Sequence, residues 1–321
     1  MRIIYKKIEP IFFIVKTPLH MGCGSELGLV DQPIQREQHT SFPKIEASSI
    51  KGTLRHEFRS NTSIDPEDLE VIFGPEESGE SSDRASSLSI SDGRLLLFPV
   101  KSAKGVFAWI TSPKVLSQFY EDLKLCIPEI ILPTRITKGN RVPNKTNLFV
   151  KEGIILLEEY AFKDIEKDKD LTELTSWISL NLIPEGDEYE YIREKIKRDV
   201  VVLDDDDFRD FVNLSTEVIT RTNIDPNTGT VKQGQLFTEE YLPVETILYS
   251  LVMANPMFFS KEENINYGAF EDFKDKGPEA QAQEIISYFK AECPSLLQMG
   301  GNATIGKGLV NINWIDQNRE D

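Results

Sequence analysis

The sequence predicts an α+β fold in which an antiparallel sheet carries its helices on one face. Apolar runs typical of strands alternate with segments of helical periodicity, in the order strand, helix, strand, then helix, hairpin, helix, strand. The chain has 321 residues, 40% of them hydrophobic, which suffices for one sizeable core or for a core with a large insertion.

The first quarter of the chain begins with the clearest strand. Residues 8–15 form an apolar run rich in Ile, Phe and Val, and residues 42–45 predict a short second strand. Residues 48–59 predict a helix, because apolar residues recur at i, i+4 spacing and Ser48 is a favourable N-cap. Residues 76–89 are polar and rich in serine, which indicates a flexible loop.

The later elements follow from the same patterns. Residues 216–237 alternate around Asp225-Pro-Asn-Thr-Gly229, which predicts a β-hairpin. The charged region 161–212 is expected to be helical, and a glycine-rich loop precedes a last strand that ends at Trp314. The other expected elements are strands at 89–98 and 244–257 and helices at 113–125, 171–182, 189–197 and 280–290.

The charge distribution permits nucleic-acid binding although the net charge is −17. Residues 1–60 hold nine Lys or Arg against six Asp or Glu, and residues 131–151 hold five basic residues and no acid. Exposed charges act over roughly 10 Å at moderate salt, so a basic face on an acidic protein is able to bind phosphate.

The expected compartment is the cytoplasm. No run of 18 apolar residues suggests a membrane span, and residues 1–10 lack the long apolar stretch of a signal peptide. The three cysteines are far apart in the sequence, without a metal-binding spacing or a disulfide framework, which fits a reducing environment.

Two residue types near the N-terminus are candidates for chemistry. His20, His39 and His56 are the only histidines in the sequence, and histidine transfers protons readily near neutral pH. Asp31 is a poor general base, with an ordinary pKa of ~3.9, but is able to ligate Mg²⁺ or to orient a ribose hydroxyl. The alternative interpretation is that all four are ordinary surface residues.

Two segments suit phosphate groups. Ser48, Ser49, Lys51 and Arg55 place hydroxyls, backbone N–H groups and two cations at a helix start, which equally fits a capped helix with a basic face. The loop 300–308 has four glycines and Lys307, so its backbone is able to approach a phosphate closely, or it is simply a flexible hairpin. The acidic run 204–207 indicates a solvated loop or the tail of a helix rather than a metal cluster.

These segments occur in an order that resembles one known family. From about residue 10 to residue 310 the chain resembles the backbone subunit of the Cmr-type (type III-B) CRISPR effector complex, a member of the RAMP superfamily. One departure is Gln32, where the family pattern has Leu. The matching strings are Thr17-Pro-Leu-His-Met-Gly-Cys-Gly-Ser25, Val30-Asp-Gln-Pro-Ile-Gln-Arg-Glu37, Ser48-Ser-Ile-Lys-Gly-Thr-Leu-Arg55, Phe73-Gly-Pro75, Arg94-Leu-Leu-Leu-Phe-Pro-Val100, Lys104-Gly-Val-Phe-Ala-Trp-Ile-Thr-Ser-Pro113, Glu239-Glu-Tyr-Leu-Pro243 and the glycine-rich loop.

The resemblance implies a single domain, 1–321, with a ferredoxin-like RNA-recognition core, a helical insertion at about 153–215 and a protruding hairpin thumb at about 216–240. Copies of the subunit would stack helically along a CRISPR guide RNA, together with other Cmr subunits. Each thumb would cross the guide–target duplex, so that cuts in the target RNA recur at regular intervals. No membrane partner is expected.

The resemblance also assigns roles to residues. Asp31 matches the cleavage-site aspartate and is the expected ligand of a divalent metal, Mg²⁺ or Mn²⁺. His20, Glu239 and Tyr241 match positions implicated at the same site. Predicted contacts to RNA are Ser48, Ser49, Lys51, Arg55, Gly301, Gly306, Lys307 and Gly308.

Two other functions stay open at this point. The subunit would be a purely structural RNA-binding backbone if another protein cut the target, as in type I CRISPR complexes. It would instead be a guide-processing nuclease if a histidine pair cut the precursor of the guide. The acid that follows the first glycine-rich loop, Asp31, favours target cleavage.

Overall fold

The core of the molecule is built around its first strand. The computed structural model describes residues 7–25, 28–75, 85–257 and 267–315. Residues 8–15 are all buried, so β1 is covered on both faces. Most of the predicted loop at 76–89 falls at 76–84, outside the described residues.

The described residues form sixteen strands and seven α-helices, with 3-10 turns at Asp187–Tyr189, Gly268–Asp275 and Ala303–Ile305. The strands are β1 Lys7–Val15, β2 Lys44–Ile45, β3 Leu88–Ile90, β4 Gly93–Lys101, β5 Phe107–Thr111, β6 Arg141–Pro143, β7 Phe149–Lys151, β8 Ile154–Leu157, β9 Tyr160–Phe162, β10 Glu166–Asp168, β11 Val200–Val202, β12 Glu217–Ile224, β13 Val231–Tyr241, β14 Ile247–Ala254, β15 Leu296–Gln298 and β16 Leu309–Trp314. The helices are α1 Ala47–Ser60, α2 Pro66–Phe73, α3 Pro113–Cys126, α4 Lys169–Leu182, α5 Glu190–Ile196, α6 Asp205–Leu214 and α7 Pro278–Glu292.

Four strands and two helices form a ferredoxin-like unit. Along the chain, its elements are β1, α1, β4, β14, α7 and β16. In the sheet, the strands run in the order β4-β14-β1-β16, and every neighbouring pair is antiparallel. This βαββαβ arrangement confirms the expected antiparallel core.

The two faces of this sheet carry different helices. Ile11 lies opposite Trp314, which meets Phe289 of α7 at a ring distance of 6.0 Å, and Phe289 stacks at 5.2 Å on Phe58 of α1. Phe12, the next residue of β1, points to the other face, where its ring lies 6.3 Å from the ring of Phe119 in α3. The two helices of the ferredoxin-like unit therefore share one face, and α3 covers the opposite one.

Residues beyond the core enlarge the sheet. Strands β5, β11, β6 and β10 continue it outward from β4, with parallel pairing between β11 and β5 and between β10 and β6. The range predicted as a helical insertion, 153–215, holds α4, α5 and α6, but also supplies β10 and β11 to the large sheet. Among the described residues, no helix combines the length and the apolar character needed to cross a bilayer.

Three local predictions need correction. The expected strand at 89–98 is two strands, β3 and β4, which both pair with β14. Ser48 is not an N-cap, because α1 starts at Ala47, where the Asp92 carboxylate accepts the Ala47 N–H at 2.9 Å. The acidic run 204–207 opens α6 rather than ending a helix, which suits the positive end of the helix dipole.

The predicted hairpin is confirmed and is formed by β12 and β13. Its strands pair from Glu217 opposite Tyr241 out to Ile224 opposite Val231. The turn closes through the Gly229 N–H, which donates to the Asp225 carbonyl at 2.8 Å, and Gly229 has a φ of 67° that suits glycine. Its role as a thumb stays a prediction.

Candidate active site

The predicted site residues meet at the edge of β13 that does not pair with β12. Leu19 pairs with Leu242 through backbone hydrogen bonds of 3.0 and 2.8 Å. The Gln32 N–H donates to the Thr238 carbonyl, and the Gln32 carbonyl accepts from the Glu240 N–H, both at 3.0 Å. The loops 17–25 and 31–36 are thus both fixed to one strand, although some 200 residues separate them from it in the sequence.

Asp31 lies exposed at this edge and is held by Thr238. Its Oδ2 accepts the Thr238 N–H at 2.8 Å and the Thr238 hydroxyl at 2.9 Å. The Asp31 N–H donates to the same hydroxyl at 2.9 Å. The hydrogen bonds from the Thr238 backbone and side chain lower the pKa of Asp31, so the carboxylate is ionised. Among the described residues, Oδ1 has no hydrogen-bond partner and is available to a ligand.

Arg221, Glu239, Tyr241 and Asn302 form a buried cluster on the other face of β13. The Tyr241 hydroxyl donates to Glu239 at 2.5 Å and accepts from Arg221 at 2.7 Å and from Asn302 at 3.0 Å. Asn302 also donates to both Glu239 oxygens at 3.2 Å, and Arg221 is ion-paired with Glu239. Glu239 is 4% exposed and Tyr241 is fully buried.

The electrostatics of the buried cluster keep Glu239 charged. Burial alone would raise the pKa of Glu239, but hydrogen bonds from Tyr241 and Asn302 and the charge of Arg221 outweigh it and lower the pKa. Burial and the hydrogen bond to Glu239 raise the pKa of Tyr241. Because these groups are bonded to one another, the cluster favours a positioning role for Glu239 and Tyr241 over direct contact with a substrate.

His20 lies against the buried cluster and is nearly inaccessible. Its ring meets the Tyr241 ring at 5.5 Å, and its Nδ1 is 2.7 Å from the Glu240 carbonyl oxygen. A carbonyl only accepts, so Nδ1 carries a proton, and Nε2 faces Gly22. A Cβ at Gly22 would lie 2.6 Å from Nε2, so a glycine is needed there. His20 is thus held by the Glu240 carbonyl on one side of its ring and by Gly22 on the other.

Arg36 and Glu240 fix the loop that carries Asp31 to α6 and to the hairpin. An Arg36 nitrogen donates to Glu240 at 2.5 Å, and another donates to Asn213 at 2.9 Å. Glu240 also accepts from the Thr216 hydroxyl at 2.7 Å and from the Ile34 N–H at 3.0 Å. The loop, α6 and the base of the hairpin are thereby tied together.

The predicted RNA contacts in the glycine-rich loop differ in their surroundings. The Gly301 N–H donates to the His20 carbonyl and the Gly308 N–H donates to the Pro18 carbonyl, both at 3.0 Å. Gly306 has open space where a side chain would lie. The Lys307 ammonium is 5.1 Å from the Tyr241 ring centroid. Gly301 and Gly308 therefore build the site, whereas Gly306 is at the surface.

The predicted contacts at the start of α1 also differ. Ser48 is exposed and Ser49 is half-buried, with its hydroxyl 3.5 Å from the Gln35 amide. Lys51 donates to the Ser86 hydroxyl at 2.8 Å, and Arg55 donates to the Gly74 carbonyl at 2.7 Å. Burial and the nearby Arg55 lower the pKa of Lys51, and burial lowers that of Arg55. Both cations donate to described residues of the protein, Lys51 to Ser86 and Leu88 and Arg55 to Gly74, and Ser48 has the most accessible side chain of the four.

A divalent cation fits this site only if the substrate supplies some of its ligands. The described part of the chain has no group of three or more His, Cys, Asp or Glu arranged to hold a metal. Asp31 offers one uncommitted oxygen. Mg²⁺ commonly binds through one or two carboxylates together with waters and substrate phosphates, so Asp31 fits as one ligand of a site that RNA completes.

Sequence reasoning missed the residues that hold the site together. Thr238 anchors Asp31, Arg221 and Asn302 complete the buried cluster, Arg36 holds Glu240, and Gln35 accepts the Glu46 N–H at 2.7 Å. The partners are 11 to 207 residues apart in the sequence, and no local spacing reveals the contacts. The available signals were positional: Gln35 and Arg36 lie inside the matching string 30–37, Asn302 lies in the glycine-rich loop, and Thr238 directly precedes the string 239–243.

The fold and the site define a RAMP protein: the model of the RAMP superfamily matches residues 12–311. The chain is 37% identical to the CRISPR system Cmr endoribonuclease Cmr4 of Pyrococcus furiosus over 304 residues, 92% of each chain. The chain therefore belongs to the RAMP superfamily and, within it, to the Cmr4 family.

Solved structures show the same fold. Oligomeric Cmr4 from Pyrococcus furiosus superposes with a TM-score of 0.66 at 30% identity, covering 98% of this chain and 99% of that one. A subunit of a type III-B Cmr-beta complex bound to cognate target RNA gives a TM-score of 0.66 at 19% identity, covering 97% and 98% of the two chains. The second likeness concerns the fold alone.

Proposed function

We propose that this chain is the guide-binding backbone subunit of a type III-B CRISPR complex and an endoribonuclease that cuts target RNA at one site per subunit. The observation that carries the proposal is Asp31, which is exposed, ionised and anchored at the base of the hairpin with one oxygen uncommitted. The name of the Cmr4 relative, an endoribonuclease, agrees with it.

The chemistry proposed is cleavage by the RNA itself. The 2′-hydroxyl oxygen of a target nucleotide attacks the adjacent phosphorus, the bond from phosphorus to the 5′-oxygen breaks, and the proton lost by the 2′-hydroxyl is balanced by one delivered to the leaving oxygen. Catalysis then requires in-line geometry, relief of phosphate charge and a proton route. Asp31 would either hold a divalent cation, which would offset phosphate charge, or accept a hydrogen bond from the attacking 2′-hydroxyl and so orient it, and His20 is the proposed proton carrier.

The RNA is expected to be held without reading its sequence. Backbone N–H groups and hydroxyls at the start of α1, together with Gly306 and Lys307 of the glycine-rich loop, are the proposed contacts to the guide backbone. Base pairing with the guide then selects the target. Several copies stack along one guide together with other Cmr subunits, and the complex is expected to work in the cytoplasm, where its RNA partners are.

A non-catalytic backbone remains the alternative. The observation in its favour is the buried cluster, because two predicted catalytic residues, Glu239 and Tyr241, are bonded to each other and covered. In that case another subunit would cut the target, and Asp31 would serve only to fix its loop to β13.

The test compares assembled complexes that contain Asp31→Ala or the control Asp206→Ala. Asp206 is an exposed carboxylate in the first turn of α6, so its removal changes the net charge equally. Cleavage of a labelled target is expected to fall by about 100-fold or more with Asp31→Ala and to stay unchanged with the control. Filter binding should show the same affinity for guide and target in all complexes.

Two outcomes would contradict the proposal. Target cutting that persists with Asp31→Ala would support the non-catalytic backbone. Cutting of precursor guide RNA by the isolated chain would support a guide-processing nuclease.

A further inference from the structure

Thr238 donates both of the hydrogen bonds that the Asp31 carboxylate accepts from other residues of the described chain. Its hydroxyl has two fixed directions: it donates to Asp31 Oδ2 at 2.9 Å and accepts from the Asp31 N–H at 2.9 Å. The hydroxyl therefore cannot rotate without breaking a bond, and the plane of the carboxylate is set by this pair of contacts together with the Thr238 N–H.

The surroundings of Asp31 supply little other restraint. Leu29, two residues earlier, is fully exposed, so it does not pack against the Asp31 side chain. An exposed aspartate with no packing partner samples several χ1 rotamers and a broad χ2 distribution. The orientation of the carboxylate thus depends on Thr238 far more than on the loop that carries it.

The backbone contact between the loop and β13 is independent of the Thr238 side chain. Gln32 exchanges hydrogen bonds with the Thr238 carbonyl and the Glu240 N–H, both at 3.0 Å. Removing only the hydroxyl is therefore expected to leave the loop attached to the strand. The carboxylate would keep the single bond from the Thr238 N–H and could turn about it.

We propose that Thr238 is a positioning residue for target cleavage. It directs the uncommitted Asp31 oxygen toward the group it would bind at the scissile phosphate, a divalent cation or the attacking 2′-hydroxyl. The proposal rests on the proposed function, in which Asp31 acts on that phosphate. Thr238 does not itself touch the reacting atoms. It fixes which carboxylate oxygen is committed to the protein and which is left for the RNA.

The chain offers three variants that isolate this role. Thr238→Val removes the hydroxyl but keeps the shape and the β-branch of the side chain. Thr238→Ser restores the hydroxyl. Thr220→Val is the matched control, because Thr220 lies directly opposite Thr238 on β12, is exposed, and makes no hydrogen bond to Asp31.

The experiment measures single-turnover cleavage and target affinity with assembled complexes. Thr238→Val is expected to slow cleavage by about tenfold, the size expected for losing a hydrogen bond to a charged group, with target affinity unchanged. Thr238→Ser and Thr220→Val should cleave within about twofold of wild type. The proposal would be overturned if Thr238→Val cleaved at the wild-type rate, or if Thr238→Val and Thr238→Ser lost the same fraction of that rate.

A stability measurement tests the coupling without relying on activity. Thr238→Val is expected to lower the Tm of the chain, and to lower it much less when Asp31 is already Ala, because the shared bonds are then gone. Equal Tm losses in the two backgrounds would contradict the coupling. If Asp31→Ala complexes still cut, the proposed function fails; if only Thr238→Val complexes cut normally, the positioning role fails and the proposed function stands.

Discussion

The two faces of β13 each have a carboxylate, Asp31 beside one and Glu239 on the other, in different surroundings. Asp31 has one anchoring residue and an uncommitted oxygen in solvent, whereas Glu239 is covered and bonded to Tyr241, Asn302 and Arg221. An exposed carboxylate with few partners is available to a ligand and contributes little to stability. The buried Glu239 carboxylate stays charged, its charge is balanced by Arg221, and it holds the hairpin to the glycine-rich loop through Asn302. The contrast separates Asp31, the acid proposed to act on RNA, from Glu239, the acid that builds the site.

The largest stability effect is expected from Arg221→Ala. It would leave the Glu239 charge buried without its cationic partner and lower the free energy of unfolding by about 2–4 kcal/mol, measured by urea denaturation. The control Arg209→Ala breaks exposed pairs with Asp206 and Asp210 and should cost under about 0.5 kcal/mol. Equal losses of unfolding free energy in the two variants would contradict the claim that the Arg221–Glu239 pair is buried and structural.

The next effect concerns the glycine-rich loop beside the buried cluster. A Cβ at Gly308, where φ is 79°, would overlap the Met299 carbonyl oxygen, whereas Gly306 has a φ of 75° but open space around it. We expect Gly308→Ala to cost more than about 2 kcal/mol and Gly306→Ala about 1 kcal/mol, as read from thermal unfolding. A guide-binding defect in Gly306→Ala at nearly normal stability would favour an RNA contact there.

The pH dependence of stability should differ between two neighbouring glutamates. Because folding lowers the pKa of Glu239, its stabilisation is complete above the unfolded pKa of about 4.3 and is lost as the pH falls through the lower folded value. Burial raises the pKa of Glu217, so its ionisation opposes folding as the pH rises. At pH 7, Tm should therefore fall for Glu239→Gln and stay equal or rise for Glu217→Gln. The opposite order would contradict the charge assignment.

The smallest expected effects on stability come from residues at the start of α1, where Lys51 and Ser48 should differ. Lys51→Met should cost about 1 kcal/mol, because the ammonium group donates to the Ser86 hydroxyl and to the Leu88 carbonyl. Ser48→Ala should leave the unfolding free energy unchanged, since Ser48 is exposed. A weaker guide affinity for Ser48→Ala, measured by filter binding, would support its predicted role, and a loss of stability would argue against it.

The sequence predicted the strands and the hairpin of this molecule better than the breaks and caps at the ends of its elements. Continuous apolar runs identified β1 and β14, and the turn chemistry around Gly229 identified the hairpin, because these signals are local. The split between β3 and β4 was missed because two strands with a short break keep one apolar pattern. Ser48 was misplaced as a cap because Asp92, far along the chain, supplies the capping carboxylate.

The candidate site was predictable as a set of segments and not as a geometry. The resemblance selected His20, Asp31, Glu239 and Tyr241, and folding brings all four to β13. It did not reveal that Asp31 is exposed while Glu239 is covered, because burial depends on partners such as Asn302, more than 60 residues away in sequence.

The most direct test of the account uses complexes assembled from mixtures of wild-type and Asp31→Ala chains. If each subunit contributes one site, the cut positions in the target should stay evenly spaced, and the yield at each should fall in proportion to the fraction of variant. Complexes built only from the variant should bind guide and target RNA and make no cuts. Undiminished cutting by those complexes would contradict the assignment of Asp31.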